Sequence, residues 1–402
     1  MKSIKEIYKI GKGPSSSHTM GPEKASLLFK NENPDANSFK VILFGSLSST
    51  GKGHGTDKVI IDALAPYPVE IIFDNTTTNL PHPNTMDLYA YKDEKQINYI
   101  RVLSVGGGYI MIEGRPSFDK PEVYKENYFT EISNYCKFKN IRISDYVELN
   151  EGPEIWDYLL KIWDQMKESI KNGLNKSGVL PGGLNVERKA KFLYNQKHID
   201  ESPTTKQNRL VCAYAFAVSE ENADFNTIVT APTCGACSTL PAVLKYMQDT
   251  QGFTDMQIAR ALAVAGIIGN IVKTNATISG AEAGCQAEIG TACSMASAAL
   301  CELFEMEIDQ IEYASEVAME HYLGLTCDPI SGLVQIPCIE RNAVAAMRSL
   351  NALSLANFLA TTRKISFDLV VETMYETGKD LSRHYRETSL GGLAKLYNLK
   401  KE

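Results

Sequence analysis

The most apolar stretch of the sequence is IARALAVAGIIGNIV, residues 258–272. Its alanines and leucines are strong helix formers. Arg260, Gly266, Gly269 and Asn270 interrupt the apolar run, which is also too short to span a bilayer comfortably. We therefore expect a buried core helix here and no membrane segment.

Further helices are predicted on both sides of this segment. From residue 155 onward the chain has helical periodicity and is dominated by Ala, Leu and Met, so that helices can pack closely. The predicted helices cover residues 155–170, 209–219, 240–248, 256–272, 288–306, 311–322, 341–359 and 367–375. Residues 176–203 are polar, contain Gly and Pro, and are predicted to form a long connection.

The first 150 residues have a different pattern. Short β-like runs at residues 39–44, 69–73, 97–105 and 109–112 alternate with helical segments at 23–30 and 58–64. A chain of 402 residues is also too long for one ordinary core. We therefore predict an α+β N-terminal domain, residues 1–150, followed by an all-α C-terminal domain, residues 151–402.

The composition disfavours several classes of protein. Hydrophobic residues make up 44% of the chain and charged residues 22%, which is typical of globular domains. The net charge of −7 comes without a basic block, so we expect no nucleic-acid partner. Residues 1–12 alternate Lys and Ile without the apolar region of a signal peptide, and the expected location is the cytoplasm.

Three cysteines in the helical half form the first candidate site. Cys327 and Cys338 flank the loop CDPISGLVQIPC, whose two prolines stiffen the backbone, and Cys285 lies where a Gly-rich segment enters a helix. A helix N-terminus lowers a thiol pKa and favours a nearby anion. Three such thiolates could hold a [4Fe–4S] cluster and leave one iron open as a Lewis acid. Buried, inert cysteines are the alternative.

A second cysteine motif competes with this set. Cys234 and Cys237 form a C-x-x-C motif, which is typical of zinc binding or thiol redox chemistry. No second C-x-x-C or paired-histidine motif completes a zinc site, and the βαβ context of a thioredoxin-like protein is missing. We interpret the pair as small residues at a tight turn, with a role as cluster ligands left open.

Two polar loops in the N-terminal half carry histidines. SSSHTMGP, residues 15–22, precedes a helix, and the amides and hydroxyls at such a position can bind a carboxylate; a simple helix cap is the alternative. In GSLSSTGKGHGTD, residues 45–57, His54 stands between two glycines and could act as a general base. This loop lacks the spacing of a phosphate-binding loop, so a nucleotide role has little support.

Two turns in the same half are weaker candidates. HPN, residues 82–84, offers His82 or Asn84 to a substrate, although a turn role explains these residues equally well. VGGG, residues 105–108, ends a strand and allows a ligand to approach the backbone closely.

Taken together, these motifs resemble the iron–sulfur L-serine dehydratases (L-serine ammonia-lyases) in their single-chain form. The matching stretches include the two histidine loops, HPN, VGGG, PGGL at 181–184, SGAEAGCQAEIGTACSMA at 279–296, LTCDPISGLVQIPCIERNA at 325–343 and TGKDLSRHYRETSLGGLA at 377–394. They follow one another in order along nearly the whole chain. Some family members end in a cysteine that caps the open iron, but this sequence has no cysteine after Cys338.

The resemblance implies a function and a set of site residues. It implies a catalytic C-terminal domain, Cys285, Cys327 and Cys338 as ligands of a [4Fe–4S] cluster, His54 as the base, His18 as a second active-site histidine, and a homodimer. L-Serine would lose water and ammonia to give pyruvate. The residues predicted to bind the substrate are Ser16, Ser17, Thr19, Lys52, Asn84 and Gly107.

Two other functions compete with this one. A pyridoxal-phosphate dehydratase would need a Schiff-base lysine, for which Lys52 is the one suggestive candidate. A regulatory amino-acid-binding protein without turnover would need little more than the α+β half.

Overall fold

The computed structural model describes residues 1–116, 121–196 and 201–399. Within these ranges there are seven β-strands and sixteen α-helices, together with short 3₁₀ and π segments. The strands are β1 Ile10–Lys12, β2 Ser38–Phe44, β3 Val69–Asp74, β4 Thr85–Lys92, β5 Lys95–Ser104, β6 Ile110–Ile112 and β7 Thr227–Val229.

The α-helices are concentrated after β6. Before it lie α1 Gly21–Glu32, α2 Gly45–Thr50 and α3 Thr56–Leu64. After it lie α4 Phe129–Lys139, α5 Ile143–Glu151, α6 Ile155–Asn175, α7 Ala190–Asn195, α8 Pro203–Ala223, α9 Thr239–Gln251, α10 Asp255–Asn275, α11 Gly280–Ala283, α12 Thr291–Leu303, α13 Ile308–Glu320, α14 Cys338–Leu359, α15 Phe367–Asp380 and α16 Gly392–Leu399. An α+β region followed by a helical region confirms the predicted fold class.

A five-stranded sheet organises the α+β half. Its strand order is β3-β2-β4-β5-β6, with β2 and β3 parallel and the other pairs antiparallel. Along β2, Phe39, Val41 and Leu43 alternate toward a buried face, as the period-2 pattern requires. They pack with Phe29 of α1 and Ile60 of α3, so that two helices close one face of the sheet.

The core of the helical half surrounds α10. Residues 258–272 are buried apart from Arg260, and α10 packs against α6 and α12. By length and composition, the helices Asp255–Asn275 and Cys338–Thr362 could cross a membrane, but 78% of the first one's apolar window is buried inside the protein. The first is therefore the core helix that the sequence predicts.

Parts of the first 150 residues belong to this second core. Ile4 and Tyr8 near the N-terminus pack in it, as do residues of α4 and α5 such as Phe129 and Tyr146. The Tyr8 hydroxyl donates to the Leu262 carbonyl at 2.7 Å, and β1 pairs with β7. The core of the α+β half draws its buried residues from positions 25–102. The division at residue 150 stays a prediction.

The predicted elements omit three strands. β1 and β7 have only three residues each, too few for an alternating pattern to be visible. β4 reads TMDLYAYK, and its Asp87 interrupts the apolar run. Asp87 can be buried there because it forms an ion pair with Arg101 on β5 at 2.7 Å. The predicted connection 176–203 contains α7 and a bridge between Val179 and Glu187, while residues 197–200 lie outside the described ranges.

Candidate active site

Two histidine loops meet between the sheet and the helical half. The first loop forms a π-helical turn, Ser16–Met20, that runs directly into α1, and the second connects α2 to α3. Each loop holds the other by a threonine: the Thr19 hydroxyl donates to the His54 carbonyl at 2.9 Å, and the Thr56 hydroxyl donates to the His18 carbonyl at 2.6 Å. The two imidazole rings stack at 4.4 Å between centroids.

Hydrogen bonds fix the proton on His54. Its Nδ1 lies 2.9 Å from the Thr50 carbonyl, which can only accept, so Nδ1 carries the hydrogen. Nε2 therefore presents a lone pair, and this buried atom has no hydrogen-bond partner within the described chain. Burial lowers the pKa of His54 from 6.5 to about 4, against the hydrogen bond to Thr50. At neutral pH His54 is a free base whose lone pair points inward.

Hydrogen bonds also fix the position of the proton on His18. The Ser46 hydroxyl donates to the Glu387 carbonyl at 2.6 Å, so its oxygen accepts from His18 Nε2 at 3.0 Å. His18 Nδ1 then accepts from the Ser17 hydroxyl at 2.9 Å. Burial and the neighbouring His54 lower the pKa of His18 well below its ordinary value. His18 is thus a neutral ring that stacks on the His54 ring.

Opposite these loops, three thiols line a small cavity. Cys285 directly precedes a π-helical turn, Gln286–Gly290, that continues into α12, and Cys338 is the first residue of α14. Cys327 lies within the loop between α13 and α14. The lining consists of Pro14, Ser15, His54, Gly235, Cys285, Glu288, Ile289, Cys327, Pro329, Val334, Cys338 and Glu387. We call Cys285, Cys327 and Cys338 the cysteine wall, and Pro14, Ser15 and His54 the histidine wall.

Close glycine packing brings the two walls together. A side chain on Gly53 would place its Cβ 2.6 Å from the Gly332 backbone, closer than real Cβ atoms approach. Gly332 itself has a φ of +67°, in the left-handed region that favours glycine, and packs on Thr50. The glycines of the two motifs therefore allow the loop of His54 to lie directly on the loop that joins Cys327 to Cys338.

Within the cysteine wall, the pKa is lowered at Cys285 and raised at Cys327 and Cys338. A hydrogen bond from Cys327 lowers the pKa of the Cys285 thiol against the effect of burial, and the Arg341 charge acts in the same direction. Arg341 is held by the Thr326 carbonyl at 2.7 Å and by Asp328 at 3.1 Å. Burial raises the pKa of Cys338, which favours its thiol until a metal takes the place of the proton.

The donor set fits a thiolate-bound metal centre. Ligand atoms of Cys285, Glu288 and Cys327 all lie within 4.8 Å of one another, and Cys338 lines the same cavity. Two of the three sulfurs stand at helix N-termini, where the helix dipole stabilises negative charge. Burial raises the pKa of Glu288 to about 7, against the hydrogen bond from Thr233 at 2.6 Å.

The C-x-x-C cysteines lie elsewhere. Cys234 and Cys237 are almost completely buried in the hydrophobic core, and neither lines the cavity, although Gly235 between them does. Cys234 contacts the sulfur of Met20 at 3.4 Å. Burial is the main cause that raises the pKa of both thiols. Their surroundings are those of packing residues.

The other predicted substrate-binding residues divide into two groups. Ser16, Ser17 and Thr19 are buried in the first histidine loop, next to the cavity. Lys52 is exposed with its ammonium over the Phe73 ring, and Gly107 presents its carbonyl to Lys9. None of these five residues lines the cavity itself.

The HPN turn is anchored to the helical half. His82 Nδ1 accepts from the Asn84 amide at 3.0 Å, and its Nε2 lies 2.9 Å from Glu282. Hydrogen bonds from His82 and Thr277 outweigh burial and lower the pKa of Glu282. Asn84 is fully buried, with its Nδ2 on the Ser104 carbonyl and its Oδ1 without a partner in the described chain.

Glu387 is a cavity residue that was not predicted from the sequence. This residue lies in the HYRETS stretch of the 377–394 motif, to which no role was assigned. Its amide donates to the Cys327 carbonyl at 2.9 Å, and its carboxylate Oε1 lies 3.6 Å from both His18 Nδ1 and His54 Nε2. Its φ of +55° is unusual for a residue other than glycine. A short polar run in a loop carries no signal that would reveal this position.

Comparison with known proteins identifies the family of this chain. Residues 3–70 match the model of the serine dehydratase beta chain and residues 83–394 that of the serine dehydratase alpha chain. The chain therefore belongs to the serine dehydratase family, with both parts fused in one polypeptide. L-serine dehydratase 2 of Escherichia coli is 39% identical over 98% of each chain. The L-serine dehydratases of Haemophilus influenzae and Streptomyces coelicolor are each 38% identical, over 98% of this chain and 99% and 98% of their own.

Proposed function

We propose that the protein is an L-serine ammonia-lyase that converts L-serine to pyruvate and ammonia with a [4Fe–4S] cluster held by Cys285, Cys327 and Cys338. The observation that carries the proposal is the single cavity in which these three thiols face the unpartnered Nε2 of His54. The similarity to proteins named L-serine dehydratase supports the choice of substrate.

The cluster and the protein contribute different parts of the chemistry. When bound, a cluster with one iron free of cysteine supplies a Lewis acid for the substrate's β-hydroxyl. His54 takes the α-proton through Nε2, because its Nδ1 hydrogen bond to Thr50 fixes the ring and its low pKa keeps it unprotonated at pH 7. Loss of water gives aminoacrylate, which tautomerises to an imine, and hydrolysis of the imine releases ammonia and pyruvate.

The start of the first histidine loop is the proposed site for the substrate carboxylate. Ser15 lines the cavity, and Ser16 opens the π-helical turn that continues into α1. Amides at a helix start favour an anion. Ser17 and Thr19 act indirectly, because their hydroxyls already form hydrogen bonds with His18 Nδ1 and with the His54 carbonyl. We assign no contact to Lys52 or Gly107.

The competing functions receive less support. No lysine is among the residues that line the cavity, and Lys52 lies outside it over Phe73, so a pyridoxal-phosphate Schiff base has no candidate amine there. A purely regulatory binding protein would not need an activated base and three thiols in one cavity. Borohydride reduction would trap a lysine adduct, whereas dithionite would bleach a cluster.

The deciding experiment is anaerobic purification followed by two measurements. We expect about four irons and four acid-labile sulfides per chain and pyruvate release from L-serine. A protein that contains iron and sulfide but releases no pyruvate would refute the assigned reaction. Active protein without iron would refute the assigned cofactor.

The setting of the enzyme is also a proposal. Nine free cysteines suit the reducing cytoplasm, and the acidic net charge gives no support to a nucleic-acid or membrane partner. A homodimer remains an expectation from the family resemblance. Light scattering on the anaerobic protein tests it.

A further inference from the structure

We propose that the Glu387 carboxylate holds the α-ammonium group of the substrate and so selects amino acids over hydroxy acids. The proposal rests on the proposed function, because it concerns the same cavity and the same substrate. It starts from the unusual surroundings of this carboxylate.

Glu387 is a buried glutamate to which no Lys or Arg is paired among the described residues. Its side chain is 8% exposed and its carboxylate receives no hydrogen bond in that part of the chain. Two other glutamates of similar burial hold guanidinium groups: Glu302 lies 2.6 Å from Arg142, and Glu221 lies 2.9 Å from Arg188. A buried carboxylate without a cation is costly unless a ligand supplies one.

The position of Glu387 identifies the cation. Its Oε1 lies 3.6 Å from the Nε2 of His54, and both groups line the cavity. In L-serine the α-hydrogen and the ammonium nitrogen are bonded to the same carbon, so the groups that serve them must be close neighbours. With His54 directed at the α-hydrogen, Glu387 is placed beside the ammonium group.

The protein holds Glu387 at this position firmly. Its amide donates to Cys327, its carbonyl accepts from Ser46, and its backbone is in the left-handed region. A non-glycine residue in that conformation is strained and often marks a functional site. The bonds to Cys327 and Ser46 fix the position of the Glu387 carboxylate relative to both His54 and the cysteine wall.

Glu288 is the competing carboxylate. It also lines the cavity, but it accepts a hydrogen bond from Thr233 and lies among the sulfurs, with its ligand atom within 4.8 Å of those of Cys285 and Cys327. Its place is therefore beside the cysteine wall rather than beside His54.

The test compares two ligands that differ only in the amine. L-Alanine and L-lactate both lack the β-hydroxyl that the proposed reaction removes, and in lactate a hydroxyl replaces the ammonium group. Calorimetric titration of the anaerobic, iron-loaded wild-type protein should show tighter binding of L-alanine. In Glu387→Gln the affinity for L-alanine should fall about 10- to 100-fold, the range for a hydrogen bond to a charged group, while that for L-lactate stays unchanged.

Several outcomes overturn the proposal. Equal weakening of the binding of both ligands would indicate that Glu387→Gln damages the site and that Glu387 does not contact the ammonium group. A wild-type protein that does not prefer L-alanine to L-lactate would also overturn the proposal. Loss of the preference in Glu288→Gln alone would assign the ammonium group to the other carboxylate. If Glu387→Gln does not load iron, Glu387→Asp replaces it: retracting the charge should weaken L-alanine selectively. Failure of the proposed function is a separate result, because iron-loaded wild type would then release no pyruvate from L-serine.

Discussion

The two walls of the cavity are built in opposite ways. The cysteine wall places Cys285 and Cys338 at the starts of long helical segments, next to the fixed charge of Arg341. The histidine wall consists of loops, and its base is positioned by hydrogen bonds between neutral groups. The difference teaches that ligands for a charged centre are supported by dipoles and charge, whereas the base is positioned by neutral hydrogen bonds and kept unprotonated by burial.

The largest expected effects come from the cysteine wall. Cys285→Ser, Cys327→Ser and Cys338→Ser should each lose most of the bound iron and more than about 1000-fold in activity, because a hydroxyl is a poor replacement for a thiolate ligand. Iron and sulfide content and pyruvate formation are measured on anaerobic protein. Cys237→Ala in the hydrophobic core is the matched control and should keep both. Loss of iron from Cys237→Ala, but from none of the three serine variants, would assign the cluster ligands to the C-x-x-C cysteines.

The histidine wall should separate activity from cofactor content. His54→Ala should lower kcat about 100- to 10,000-fold, as expected for loss of a general base, with iron and sulfide at the wild-type level. The comparison of the two walls fails if this variant also loses its iron. Near-normal activity in His54→Ala would remove His54 from the mechanism.

Acid should destabilise the protein through the histidine wall. His54 has a pKa of about 4 when folded and 6.5 when unfolded, so between these values the unfolded chain binds more protons. The contribution of His54 to stability is fully present above pH 6.5 and falls by about 3 kcal/mol as the pH drops to 4. Urea unfolding of metal-free protein across this range measures the slope. His54→Gln should have a shallower slope, and an unchanged slope would contradict the assigned burial of a neutral ring.

The threonine contacts between the loops should give the smallest effect. Thr56→Val removes the hydrogen bond to the His18 carbonyl and should cost about 1 kcal/mol of unfolding free energy, with wild-type iron content. Thr373→Val is the control, since its exposed hydroxyl bonds only to Leu369 in its own helix. Equal losses of unfolding free energy in both variants would mean that the hydrogen bond of Thr56 between the loops contributes no more than one within an exposed helix.

Periodicity and composition were sufficient for the overall architecture. The strands at 39–44 and 69–73 and the core helix at 258–272 were predictable because their patterns are local. β1 and β7 were not, because each exists only through its partner more than two hundred residues away. Membership of the family is confirmed, while the roles of the site residues remain proposals.

The site was only partly accessible to sequence reasoning. The histidines and cysteines stand in distinctive motifs, so they could be nominated without a structure. Lys52 could be nominated equally well, yet its side chain points to solvent over Phe73. Glu387 could not, since its importance depends on contacts such as that with Ser46, 341 positions away.

The bridge between Cys327 and Arg386 has a consequence for folding. The cavity needs residues as distant in the chain as Pro14 and Glu387, whereas the core of the α+β half draws its buried residues from positions 25–102. Contacts of such long sequence separation form late, after their loop-closure entropy has been offset. A partly folded chain would therefore hold its three thiols without a shared cavity, and cofactor insertion would follow the docking of the C-terminal segment.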